Sequence, residues 1–391
     1  MASKLQDLIN RLCPNGVEYR RLGEVCSYAT ERIDSSSVSS HTYVGVESLL
    51  QDRCGRVDSV SVPSEGRVIA FKPGDVLVGN IRPYLKKIWL SDIDGGTNGD
   101  VLVFQIHDRG KLLPRFLYQV LASDSFFAFD MQYAKGSKMP RGDKEAVLKY
   151  EIPVPPLEVQ SEIVQILDNF AELTAELTAE LEKRKKQYEH YRRALLCGVE
   201  SSELRVESSG WPMVKLGDVC EISRGRVISK DYLRDNPGVY PVYSSQTVND
   251  GELGRIATYD YDGEYLTWTT DGANAGTPFY RNCKFSITNV CGLLRPNQLR
   301  LIPKFLYFWL CIVMGDYVSR GMGNPKLMSN VVARIPIPLP PLAEQRRIVS
   351  ILDRFDRLCN DLTSGLPAEI AARKKQYAYY RDKLLELRVG S

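Results

Sequence analysis

Apolar residues recur at heptad spacing at Ile163, Leu167, Phe170, Leu177, Leu181, Tyr188, Tyr191 and Leu195. Just ahead stand Pro153, Pro155 and Pro156, which bar helix and fix an extended entry. The pattern predicts one helix of some forty residues, roughly 60 Å at 1.5 Å per residue. That length indicates a coiled-coil arm rather than an ordinary globular helix. Thr174 and Arg184 are the two misfits in its seam. A second stretch repeats the spacing at Ile348, Leu352, Phe355, Leu362, Ile370, Tyr377, Tyr380 and Leu384. Here SGLP at 364–367 should break the helix or open a short loop.

Ahead of each arm the pattern changes character. VLVGNIRPYLKKIWL (76–90) and DVLVFQI (100–106) are rich in β-branched and aromatic residues and bounded by Gly, Asp and Asn, so they read as strands. EYLTWTT (264–270) and FSITNVCGLL (285–294) read the same way, and PRFLYQVLAS is a short helical pattern. Each body is expected to be a compact α+β domain of about 130 to 150 residues.

The two halves are related. RKKQYEHYRRALL (184–196) and RKKQYAYYRDKLL (373–385) agree at nine of thirteen positions, too many for chance. PPLEVQSEIVQILDNF (155–170) agrees with PPLAEQRRIVSILDRF (340–355) at ten of sixteen. LPRFLY (113–118) answers IPKFLY (302–307), and RLGEVCSYATER (21–32) answers KLGDVCEISRGR (215–226). Two copies are too few for a solenoid. The expected fold is therefore α+β: two similar globular domains joined by two long antiparallel coiled-coil helices, with a pseudo-two-fold internal duplication. The expected boundaries are 1–152 for the first body, 153–199 for the first arm, 200–335 for the second body and 336–391 for the second arm.

A length of 391 residues suits two to three domains, and 43% hydrophobic with 25% charged residues is ordinary for a globular chain. A net charge of +3 is too mild to indicate nucleic acid by itself, so location must carry that argument. Residues 182–193 hold six Lys/Arg against two Glu, and 373–388 hold six against two acids. Nine cysteines form no CxxC pair and, with three histidines, show no metal-ligand spacing. With an odd count and no signal peptide, reduced thiols in a cytoplasmic protein are the expectation. The apolar run at 305–314 is too short to span a membrane. No phosphate-binding GxxxxGK[ST] loop, amino-methyltransferase [DNS]PP[YFW] loop, HExxH or nucleophile elbow is present. Such a chain binds rather than reacts.

Two divergent bodies, each followed by an IPxP turn, a PPLxEQ entry, ILDxF and RKKQYxxYRxxLL, resemble the specificity subunit of type I restriction–modification systems. The resemblance spans essentially the whole chain and is closest in IPIPLPPLAEQRRIVSILDRF; the first copy departs from it at Val159. It implies that each body is a target recognition domain reading half of a split, asymmetric DNA site, and that the paired helices are a spacer. It further implies two modification (adenine methyltransferase) subunits and two ATP-dependent restriction subunits as partners. S-adenosylmethionine, ATP and Mg would then sit on those partners, with no cofactor or metal in this chain and no catalysis by it.

Base readout needs Arg, Lys, Asn, Gln, Ser or Thr on loops entering a groove. AKGSKMPRGDKEAVLK (134–149) offers Lys135, Ser137, Lys138, Arg141 and Lys144, and its counterpart SRGMGNPKLMSN (319–330) offers Arg320, Asn324, Lys326 and Asn330. GNIRPYLKK offers Asn80, Arg82, Tyr84, Lys86 and Lys87, loosely matched by Thr270 and Asn274 in TTDGANAG. The repeated basic segments, with Lys185, Lys186, Tyr188, Tyr191 and Arg192, and Lys374, Lys375, Tyr377, Tyr380 and Arg381, are the expected partner-binding surface. The competing reading is a two-domain coiled-coil scaffold that binds protein and reads no DNA.

Overall fold

The computed structural model describes residues 2–197, 211–321, 323–361 and 363–387; the expected boundary at 199/200 lies outside them. The chain divides into two compact units, residues 1–178 with 369–391, and residues 179–368. Each unit thus takes one body and a stretch of both arms.

In the first unit a four-stranded antiparallel sheet runs in the order Cys26–Tyr28, Val101–Ile106, Val76–Gly79, Ile88–Leu90. A second sheet pairs Arg32–Asp34, Arg67–Phe71 and Gly95–Thr97. Val76, Leu77 and Val78 are all fully buried, because successive side chains enter different cores. Val76 and Val78 pack with Phe116, Leu117 and Ile163, whereas Leu77 packs with Val44, Phe71 and Val103. Hence the continuous apolar run. A helix at Ala2–Leu12, absent from the sequence reading, seats Leu5 in the first of these cores.

The second unit holds one six-stranded sheet, ordered Cys220–Arg224, Cys291–Pro296, Tyr261–Thr269, Pro278–Ile287, Pro237–Tyr243, Glu252–Ile256. The run 285–294 is two strands, divided where Cys291 N–H donates to Thr288 C=O at 3.0 Å.

Different sheets are mounted on identical fittings. Tyr19–Arg21 pairs antiparallel with Glu151–Pro153, and Met213–Lys215 pairs with Pro336–Pro338. Leu22 and Leu216 then donate to Tyr150 and Ile335 at 2.8 and 2.9 Å. The glycine of each LG[ED]VC follows from close approach: a Cβ on Gly23 or Gly217 would lie 3.2 Å from Leu148 or Ala333.

The first arm is a single helix, Leu157–Cys197, of 41 residues, and the second is Leu342–Asn360 followed by Leu366–Leu385. The break comes earlier than expected: the first stretch ends at Asn360, and of SGLP only Ser364 and Gly365 lie between the helices, Leu366 and Pro367 opening the second. At it, Asp361 accepts from the Thr363 backbone at 2.7 Å and from the Thr363 and Ser364 hydroxyls, which hold its pKa below the usual carboxylate range. Within the first unit Phe170 stacks on Tyr380 at 5.4 Å. Within the second, Tyr191 packs on Phe355 at 5.3 Å, the same pair with the copies exchanged. The early part of one arm therefore meets the late part of the other, which is antiparallel pairing. Ile163 and Leu167 belong to the body core rather than to this seam. The misfit Thr174 turns its hydroxyl to Phe170 C=O at 2.8 Å, satisfying it within the helix.

Candidate nucleic-acid interface

In each body the two candidate loops form one surface, stitched by the same backbone bonds. In the first, Arg82 N–H donates to Pro140 C=O at 2.7 Å, Gly142 N–H to Asn80 C=O at 3.1 Å, and Ile81 bridges Arg141. In the second, Gly272 N–H donates to Pro325 C=O at 3.0 Å, Leu327 N–H to Thr270 C=O at 2.8 Å, and Asp271 bridges Lys326. Lys135 bridges Arg141 as Ser319 bridges Lys326. Arg141 and Lys326, which the sequence places in counterpart loops, are thus equivalent positions. Arg82 and Gly272 share a left-handed backbone, φ 53° and 91°, so glycine stands there without strain and arginine with it.

The exposed members are Tyr84, Lys135, Ser137, Lys138, Arg141 and Lys144 in the first body, and Asn274, Arg320, Asn324, Lys326 and Asn330 in the second. Lys135 pairs with Asp143 at 2.6 Å, which raises the lysine pKa and lowers that of the carboxylate; Arg141 lies 3.3 Å from Asp100. Asn274 donates to Thr247 Oγ1 at 3.0 Å.

Five of the expected residues stand elsewhere than on the open surface. Asn80 and Thr270 end buried strands and lie inside; Thr270 Oγ1 donates to Val290 C=O at 2.8 Å. Their backbones carry the stitches, while their side chains are buried beneath the loops. Lys86 is spent on Asp124 at 2.7 Å, and Lys87 on Val46 C=O at 2.6 Å, where burial lowers its pKa. Arg82 is half-buried, with Nε enclosed and without a partner.

Beneath the first surface Asp130 is fully buried, and neither carboxylate oxygen has a hydrogen-bond partner. A Cβ on Gly142 would lie 2.2 Å from Asp130 Oδ1 and 2.8 Å from Asn80 Oδ1, so any larger residue there must displace those side-chain ends. Burial pushes the Asp130 pKa from 3.8 up to about 6. The unfolded chain releases this proton first, so stability should fall as pH rises from about 4 to about 6 and stay reduced above. Asp130→Asn should remove that slope and stabilise the fold at pH 7.5 by about 2–3 kcal/mol. Urea unfolding at pH 4.5 and 7.5 measures it; an unchanged pH dependence would count against a buried, unpartnered acid.

The repeated basic segments also need correction. Tyr188 is buried against Phe355, with Arg192 over its ring at 5.5 Å and paired to Glu189 at 2.7 Å. Tyr377 donates to Gln119 Oε1 at 3.1 Å, and Arg381, 2% exposed, lies over Tyr377 with its pKa lowered by burial. In the arm seam Tyr380 stacks on Phe170 and Tyr191 packs tilted on Phe355. Tyr188, Tyr377 and Arg381 thus pack inside their units, since a helix end packed on a body must bury one face, while Tyr380 stays exposed. Lys186, Lys374 and Lys375 stay exposed, and Lys185 is half-buried beside Glu182 at 3.5 Å.

One pair of residues escaped notice inside the motif itself. Gln160 and Gln345 are fully buried. Each amide accepts from the backbone N–H of the residue before the proline of LP or IP (Leu113 at 2.9 Å, Ile302 at 2.8 Å). Each donates to two carbonyls: Lys111 and Pro155 at 2.7 Å, Arg300 at 2.9 Å and Pro340 at 2.8 Å. Beside them Arg115 pairs with Asp168 at 2.7 Å as Lys304 pairs with Asp353 at 2.8 Å. Their retention in both copies was the available signal.

Among the described residues no three His, Cys, Asp or Glu side chains converge as metal ligands, and no helix is long and apolar enough to cross a membrane. The family model for the type I restriction modification DNA specificity domain matches residues 14–184 and 208–372. A chain named as a type I specificity subunit in Mycoplasma pneumoniae is 47% identical over 230 residues, 59% of this chain and 90% of that one. A solved structure of assembly and conformational transition in the type I R-M system contains a chain with a TM-score of 0.64 at 24% identity, covering 95% of this chain and 98% of that one. The HsdS subunit from Thermoanaerobacter tengcongensis gives a TM-score of 0.54 at 25% identity, covering 95% and 97%. The chain belongs to the type I restriction–modification DNA specificity family, the non-catalytic specificity subunits of these systems.

Proposed function

We propose that this specificity subunit reads a bipartite, asymmetric DNA site, one body per half-site. It would recruit adenine-methylating modification subunits and ATP-dependent restriction subunits, two of each, to that site. The linear partition into body, arm, body, arm (1–152, 153–199, 200–335, 336–391) belongs to the same proposal. One observation carries it: an identically stitched pair of loops stands in both bodies while its exposed residues differ. Equal placement with unequal chemistry is what two readers of different half-sites require. The paired arms then act as the spacer that sets the gap between half-sites, and the exposed lysines on their outer face supply charge for the modification subunits.

Variants of the equivalent pair test it. Arg141→Ala should relax reading of the first half-site alone and Lys326→Ala the second alone, each by about 1–3 kcal/mol if a base edge is lost. A phosphate contact would instead weaken all sequences alike and reduce the salt slope by about one. Binding measured across a salt series, with methylation of each half-site variant by the assembled complex, separates the two. Wild-type specificity and salt dependence in both variants would exclude this surface.

A further inference from the structure

Each body carries a third hairpin beside the stitched loops, one that no motif marked. In the first body it follows Tyr43, which bridges Gly96 in parallel; in the second it follows Tyr243, parallel to Ile287. Gly96 and Ile287 both precede Thr-Asn, so the two hairpins occupy the same place in unlike sheets. Leu50 N–H closes the first on Gly55 C=O at 2.9 Å, and Ser244 N–H closes the second on Gly251 C=O at 3.0 Å. Both glycines are left-handed, φ 80° and 79°.

Ahead of each glycine stand two consecutive non-glycine residues in the same strained region: Asp52 and Arg53 (φ 52° and 64°), Asn249 and Asp250 (φ 51° and 53°). Among the described residues the remaining left-handed non-glycines are Arg82 and Lys86, at the ends of the first reading turn. Strain of this kind persists where surrounding structure enforces it, characteristically at ligand-contacting sites. All of it here gathers beside the candidate interface.

The second residue of each pair is an anchor. Arg53 donates to Ala122 C=O, pairs with Asp124 and lies over Phe127 at 5.6 Å. Asp250 accepts from Arg281, itself 2% exposed and held at 3.5 Å over Tyr243 and 4.7 Å over Phe279. The first residue, Asp52 or Asn249, is exposed. Both hairpins are tied to the reading loops, by Arg53 N–H to Lys86 C=O at 3.0 Å and by Thr270 N–H to Ser245 Oγ at 2.9 Å.

We propose that Asp52 and Asn249 are specificity-determining residues, each held against one base of its half-site. The Asp52 carboxylate suits the exocyclic amino group of cytosine, and the Asn249 carboxamide suits the N6/N7 edge of adenine. Phosphates repel Asp52, so it supplies discrimination rather than affinity. The inference rests on the DNA-reading function proposed above.

Glycine is the informative substitution, because it keeps the left-handed turn and removes only the side chain. In the full chain assembled with its modification subunit, methylation of a DNA library randomised in both half-sites is sequenced. Asp52→Gly and Asn249→Gly should melt at or above the unaltered protein. Each should lose about ten- to hundred-fold discrimination at one position of its own half-site and none in the other. Asp52→Asn, isosteric and independent of any folding change, should shift that position toward adenine. Unchanged discrimination in all three variants, while Arg141→Ala or Lys326→Ala does relax a half-site, overturns the hairpin assignment alone. Unchanged discrimination in all five overturns the assignment together with the reading face on which it rests.

Discussion

Gln345→Ala lowers the unfolding midpoint of its unit by roughly 8–16 °C. The amide is fully buried and makes three hydrogen bonds, to Ile302 N–H, Arg300 C=O and Pro340 C=O. Truncation leaves all three backbone groups without a partner, in a site closed by the entry prolines. Each orphan costs about 1–3 kcal/mol, and partial relaxation brings the sum to roughly 4 kcal/mol. A unit of this size shifts by about 2–4 °C per kcal/mol. Gln345→Glu is a sharper variant, since a carboxylate still accepts from Ile302 but cannot donate to the two carbonyls. Gln160→Ala should behave alike in the first unit, where the same three bonds recur. Scanning calorimetry decides: a shift under about 2 °C would mean that the amide is not what joins helix entry to body.

The fragment 1–199 assembles as a symmetric homodimer and directs methylation to a palindrome built from the first half-site. Its body is completed in the full chain by the end of the second arm, through Tyr377 on Gln119, Arg381, and Leu385 in the core. The first arm carries Tyr188, Arg192 and Leu196 at the equivalent positions of the repeat. A second copy can therefore fill the site, and Phe170 of one copy can stack on Tyr191 of the other as it does on Tyr380. Without the SGLP break, the fragment's arm is one unbroken helix. Light scattering at tens of micromolar reports the dimer, and methylation with added modification subunit reports the palindrome. A folded monomer would refute equivalence of the two arm ends.

Much of this was written in local patterns. Heptad spacing and entry prolines located the long helix of the first arm, and SGLP marked the neighbourhood of the break in the second, because helix propensity and proline geometry act within a few residues. The internal duplication needed no structure at all. The loops were found as separate basic segments, since loop chemistry is local too.

Which side chains face outward was a different matter. Asn80 and Thr270 look like base readers in sequence but close buried strands, while Asp52 and Asn249, unmarked by any motif, stand exposed on strained turns. The tyrosines and arginines of RKKQYxxYR look like a docking surface for another chain, yet Tyr188, Tyr377 and Arg381 pack inside their units. Sequence by itself determined the repeat, the arms, the break and the family, because these depend on periodicity and on motifs a few residues long. Only the tertiary structure decided burial, the joining of 76–90 with 134–149 and the strain beside that joint. Those follow from contacts between residues tens to hundreds of positions apart, whose partners no local pattern names.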